Sequence, residues 1–141
     1  MATIKSYTDL EQSKKLAEML PLESADMEYL AIKENGQLVG SVPFAKDDSE
    51  VEDSAYSHTY DRIACWSLTA LLSVLPKDKS IDCAISFGYY NGKGEYIEKW
   101  ICSFEKEGET TDDFIIETTD GDNPIDACYE MILKLHEQNL L

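Results

Sequence analysis

Four cysteines, two histidines and twenty-eight carboxylates are the side chains through which this 141-residue chain could do chemistry. Cys65 stands in Cys65-Trp66-Ser67, at the start of an apolar run that reads as a helix. A thiol so placed ionises early under the helix dipole and becomes a nucleophile, for which His136, the histidine downstream, would be the base. Asp61-Arg62-Ile63-Ala64 leads into it, without glycine, and His136 falls on a carboxy-terminal helical stripe. Those neighbours favour a packed core thiol, so Cys65 and His136 are catalytic candidates without a supporting motif. His58 sits in a loop between Tyr56 and Tyr60, and neither histidine has a second ligand at metal spacing. No metal site is expected. Cys65, Cys83, Cys102 and Cys128 are 18, 19 and 26 residues apart, each in an apolar segment, which suits buried reduced thiols.

The carboxylates are unevenly spread. Twelve bases leave the chain at −16, and two blocks carry most of it. Residues 21–60 hold nine acids and two bases; residues 101–123 hold eight acids and one base. Asp47, Asp48, Glu50, Glu52 and Asp53 form the densest stretch, but without the alternating Asp-x-Asp-x-Asp-Gly register of a calcium loop. Asp120-Gly121-Asp122-Asn123-Pro124 puts proline where a third ligand belongs. Gly92-Lys93-Gly94 lies in a hairpin turn rather than before a helix, so no phosphate loop and no cofactor are expected. A charge of this sign repels phosphate, which excludes direct binding to nucleic acid or an anionic membrane and favours basic proteins, cations or no partner at all; the two blocks make one negative surface if they lie together and serve solubility if they lie apart.

Periodicity supplies the elements that must position these groups. Thr8-Asp9-Leu10-Glu11 has the spacing of a capping box, and Leu10, Leu16, Ala17 and Leu20 make a stripe that predicts a helix from about 9 to 20. Residues 27–33 suit a strand, Asn35-Gly36 a two-residue hairpin, and Leu38, Val39 and Val42 the return, with Pro43 at an end or an edge. Residues 45–58 read as a solvated, mobile acidic loop. Asp61 to Leu75 reads as one helix, apolar round most of its circumference and stopped by Pro76. Ile81, Cys83, Ile85, Phe87 and Tyr89 then share a strand face, as do Tyr96, Trp100, Cys102 and Phe104. Phe114-Ile115-Ile116 makes a further strand. Asn123-Pro124 opens a last helix with Ile125, Cys128, Tyr129, Ile132, Leu133, His136 and Leu140 on its apolar face. The expected fold is α+β, one domain over 1–141, an antiparallel sheet of about five strands with three helices in the order α-β-β-α-β-β-β-α.

The phrases Lys5-Ser6-Tyr7-Thr8-Asp9, Ser13-Lys14-Lys15-Leu16-Ala17-Glu18, Leu22-Glu23-Ser24-Ala25-Asp26-Met27, Cys65-Trp66-Ser67-Leu68 and Asp126-Ala127-Cys128-Tyr129-Glu130-Met131-Ile132 resemble a group of small uncharacterised proteins of gut anaerobic bacteria and their phages and mobile elements. The resemblance implies a bacterial or phage context and no activity. The Cys-Trp pair is also similar to that of papain-like proteases, over two residues only.

The amino-terminal residues offer no signal peptide and no run is long enough to span a bilayer, so a cytoplasmic protein is expected. Three function classes follow. The first is a non-catalytic acidic module that binds a basic protein, by mimicry of nucleic-acid charge in a mobile-element setting. The second is a small cysteine hydrolase using Cys65. The third is an oligomer-forming domain that presents Tyr89, Tyr90, Tyr96 and Trp100 to a second copy.

Overall fold

The computed structural model describes residues 5–46, 60–110 and 113–141. They form an α+β protein with two three-stranded antiparallel sheets and three α-helices. The chain divides into two compact units, Tyr7–Ala70 and Met1–Ser6 with Leu71–Leu141.

The first unit opens with helix α1 (Leu10–Ala17). Its cap is Asp9, one residue later than the spacing predicts. Asp9 Oδ1 accepts from Gln12 N–H at 2.8 Å and Gln12 Oε1 accepts from Asp9 N–H at 3.1 Å, so Gln12 closes the box in place of Glu11. Strands β1 (Met27–Glu34) and β2 (Gln37–Ala45) meet at Asn35-Gly36. Their φ values of 53° and 78° are the two positive angles that the hairpin reading requires. Pro43, which has no N–H to give a ladder, sits on edge strand β2.

The helix predicted over 61–75 does not form as one element. Its first part is a strand, β3 (Tyr60–Cys65), and only Leu68–Val74 is helical, as α2. Two causes act. β3 pairs along β1 from Met27↔Cys65 to Ile32↔Tyr60, which makes β1 the central strand and buries Tyr29, Leu30 and Ala31. Ser67 Oγ then accepts from Ala70 N–H at 3.2 Å and starts the helix at that point. This strand brings the total among the described residues to six, in two sheets rather than about five in one.

In the second unit β4 (Ile81–Tyr90), β5 (Tyr96–Lys106) and β6 (Ile115–Gly121) lie in that order, and helix α3 (Pro124–Glu137) packs on β5 and β6. Cys102 and Phe104 are fully buried on β5. The register slips by one residue between Phe87 and Tyr89, at Gly88 (φ 81°), so Tyr90 rather than Asn91 faces Tyr96. Asn123 caps α3, accepting from Asp126 N–H at 2.9 Å. The buried stripe of α3 is Ile125, Ala127, Cys128, Met131, Ile132 and Leu135, and His136 is exposed. The expected stripe through Tyr129, Leu133 and His136 is turned by about one position, because Met131 and Leu135 take the core side.

Candidate functional site

Cys65 ends β3 and is completely buried. Its surroundings are a polar knot tied around Thr8, which is itself fully buried. The Thr8 and Ser13 hydroxyls share a hydrogen bond of 2.8 Å. Trp66 N–H donates to Thr8 Oγ1 at 3.1 Å, and Thr8 N–H donates to the Trp66 carbonyl at 2.9 Å. The Tyr29 hydroxyl donates to the Thr8 carbonyl at 2.7 Å, and the Cys65 thiol reaches the same oxygen at 3.5 Å. Burial pushes the Cys65 thiol above its ordinary value, while hydrogen bonds with Thr8, Ser13 and Tyr29 draw it partly back. Burial first, then the neighbouring Cys65, raises the Tyr29 phenol. At neutral pH these groups are uncharged donors and acceptors, and they fasten the segment before α1 to the junction of β3 and α2.

That junction is held a second time. The Trp66 indole N–H donates to Ser24 Oγ at 3.0 Å, and Asp26 accepts from both the N–H and the hydroxyl of Ser67. Cys65 belongs to the first unit and His136 to the second. All four cysteines are free thiols. Cys102 and Cys128 are buried against each other across β5 and α3; the hydrogen bond to Cys102, and then burial, raises the Cys128 thiol. Cys83 is half-buried. Among the described residues no group of three or more His, Cys, Asp or Glu is placed to hold a metal ion. None of their helices is long and apolar enough to cross a membrane.

Asp47, Asp48, Glu50, Glu52 and Asp53, with His58, lie outside the described residues. The second acidic block is described apart from residues 111 and 112. Glu105, Glu107, Glu109, Asp113, Asp120 and Asp122 are all exposed along β5, the turn and β6. Alternation along β4 and β5 sets Asp82 directly opposite Glu105, and both are exposed. Like charges in that position destabilise a sheet, so folding does not favour the pair. Asp120 stands opposite Ile101, with Lys99 at 3.9 Å. Tyr89, Ile101, Thr118, Thr119 and Asp120 line a cavity of about 440 Å³. Sequence reading placed the acids of this block but not the part Asp82 plays; the alternation of β4 and the Asn91-Gly92 turn together carry its register.

Comparison with protein-family models, with curated proteins and with solved structures finds no match.

Proposed function

We propose that the chain is a non-catalytic binding module whose acidic surface receives a basic protein. The observation that carries this reading is the exposed face of the second sheet. There Asp82 opposes Glu105, and Asp120 stands at a cavity whose other walls include Tyr89 and Ile101. A lysine of the partner fits such a place, its methylene stem along the apolar walls and its ammonium at the carboxylate. The charge of −16 steers such a partner in, and the steering weakens as salt screens it. In a bacterial or phage setting the module's targets are proteins that otherwise bind nucleic acid.

The test is capture from nuclease-treated bacterial lysate with a salt gradient and mass spectrometry. Wild type is compared with the triple variant Asp82→Asn, Glu105→Gln, Asp120→Asn, and separately with neutralised Asp47, Asp48, Glu50, Glu52 and Asp53. The expected result is one basic protein released at moderate salt, and lost from the triple variant while its melting temperature holds. Equal retention by all three proteins overturns the reading.

A second reading rests on the far end of the β4–β5 hairpin. Tyr90 and Tyr96 meet as tilted rings with centroids 5.2 Å apart, Phe87 and Trp100 likewise at 5.3 Å, and Phe87, Tyr90 and Tyr96 are exposed. That aromatic end suits contact with a second copy, which sedimentation at high concentration tests.

A further inference from the structure

One cavity of the first unit runs against the charge of the whole chain. It measures about 360 Å³, and three of the eight described residues that line it are basic: Lys14, Lys46 and Arg62, with Glu28 the sole acid among them. That volume lies within the range of small-molecule sites, about 300–1,000 Å³. Each cation reaches the cavity from a different element. Lys14 lies on α1, one turn before Ala17; Lys46 follows the last residue of β2; Arg62 is on β3. The sheet fixes the rest. Glu28 pairs with Ala64 and Leu30 with Arg62, so Glu28 and Arg62 stand as diagonal neighbours on one face. Arg62 Nη1 lies 3.6 Å from Glu28 Oε2, and Lys46 Nζ donates to the Leu22 carbonyl at 3.1 Å, which holds its ammonium over the cavity. Ala17, Leu22, Ile63 and Ala64 supply an apolar wall.

We infer that this cavity binds a small dianion, a phosphate monoester or a short dicarboxylate, between Lys14, Lys46 and Arg62. Among the described lining residues three cations and one carboxylate leave two positive charges, which a dianion neutralises and a monoanion does not. The guanidinium fork and two ammonium groups are the donors that phosphoryl and carboxylate oxygens take best. Glu28 competes with the ligand for Arg62. The site shares no residue with the acidic sheet face, so the fate of either proposal leaves the other standing.

The experiment is an amide chemical-shift titration of the full chain with inorganic phosphate, succinate and acetate, each at constant ionic strength held by sodium chloride. Saturable shifts are expected at residues 14–17, at Lys46 and at 62–64 with phosphate or succinate, and none with acetate. Saturation by phosphate alone assigns a phosphoryl ligand; saturation by succinate alone assigns a dicarboxylate. Arg62→Gln and the pair Lys14→Gln, Lys46→Gln each weaken binding about tenfold or more, as expected for lost charge-assisted contacts. Glu28→Gln tightens it, which a purely structural ion pair would not do. Shifts that stay linear in ligand, or that persist unchanged in Arg62→Gln, overturn the inference.

Discussion

A buried hydroxyl that answers several partners is costlier to remove than one at the surface, and Thr8 carries such a hydroxyl. Valine has the same shape, so Thr8→Val leaves the Trp66 N–H and the Ser13 hydroxyl facing a methyl group. The loss expected is about 2–4 kcal/mol in a urea titration, since each orphaned buried group costs about 1–3 kcal/mol. Tyr29→Phe removes a donor from an oxygen that the Cys65 thiol also approaches, and it should cost about 1 kcal/mol. If Thr8→Val costs no more than Tyr29→Phe, the knot does not hold the junction. None of this was legible in the sequence. A threonine just ahead of a helix reads as its cap, and the residue that claims Thr8 instead, Trp66, is 58 positions away. Cys65 drew attention as a nucleophile for the same reason, because its true neighbours are Thr8 and Tyr29.

Local elements were legible wherever their signal was local. Asn35-Gly36 specified its turn, Asn123-Pro124 its cap, and the alternation of β4 and β5 their pairing. The failures came where a distant partner decides. Residues 60–65 carry apolar side chains at spacings a helix would also use, and pairing to β1 makes them a strand. The α3 stripe was misplaced because Tyr129, Leu133 and His136 recur at helical steps as well as Met131 and Leu135 do. Gly88 is a case where one residue fixes an element. Its φ is 81°, and a Cβ there would collide with the Tyr96 hydroxyl oxygen. Gly88→Ala should therefore cost about 1–2 kcal/mol from the left-handed backbone alone, and more from displacing Tyr96. Gly36 has a similar φ of 78° but open space around it, so Gly36→Ala should cost less. Equal denaturation midpoints for the two variants would show that the Tyr96 contact contributes nothing.

On the scale of the whole molecule, charge was legible as an amount but not as a surface. The count located two blocks, and the sheet register supplied the opposition of Asp82 to Glu105. Protons on the Cys65 and Cys83 thiols and on Tyr29 give the alkaline side of stability its shape. Cys65, Cys83 and Tyr29 hold their protons in the fold beyond the ordinary values of 9.0 and 10.0. Above pH about 9 the unfolded chain therefore binds fewer protons than the folded one, and stability falls as pH rises. Below pH about 9 that contribution is complete. On the acid side Glu117, bonded to Gln138 and Lys134, ionises below its ordinary 4.5, so its contribution is lost as pH falls through that lower value. Urea midpoints should thus decline from pH about 9 to about 11. A level midpoint over that interval would mean these groups titrate as freely in the fold as outside it.

The Lys5–Asp126 ion pair, 2.8 Å long, ties together residues 121 apart within the second unit, whereas the first unit is complete in Tyr7–Ala70. A ribosome delivers these in sequence. The first unit has all of its residues once Ala70 has emerged, while Lys5 waits for nearly the entire message to be read. A nascent chain halted before α3 would lack the helix that packs on β5 and β6, and β5 carries the buried Cys102 and Phe104. Translation that stalls late should therefore yield a half-assembled product that proteases clear from one end and spare at the other.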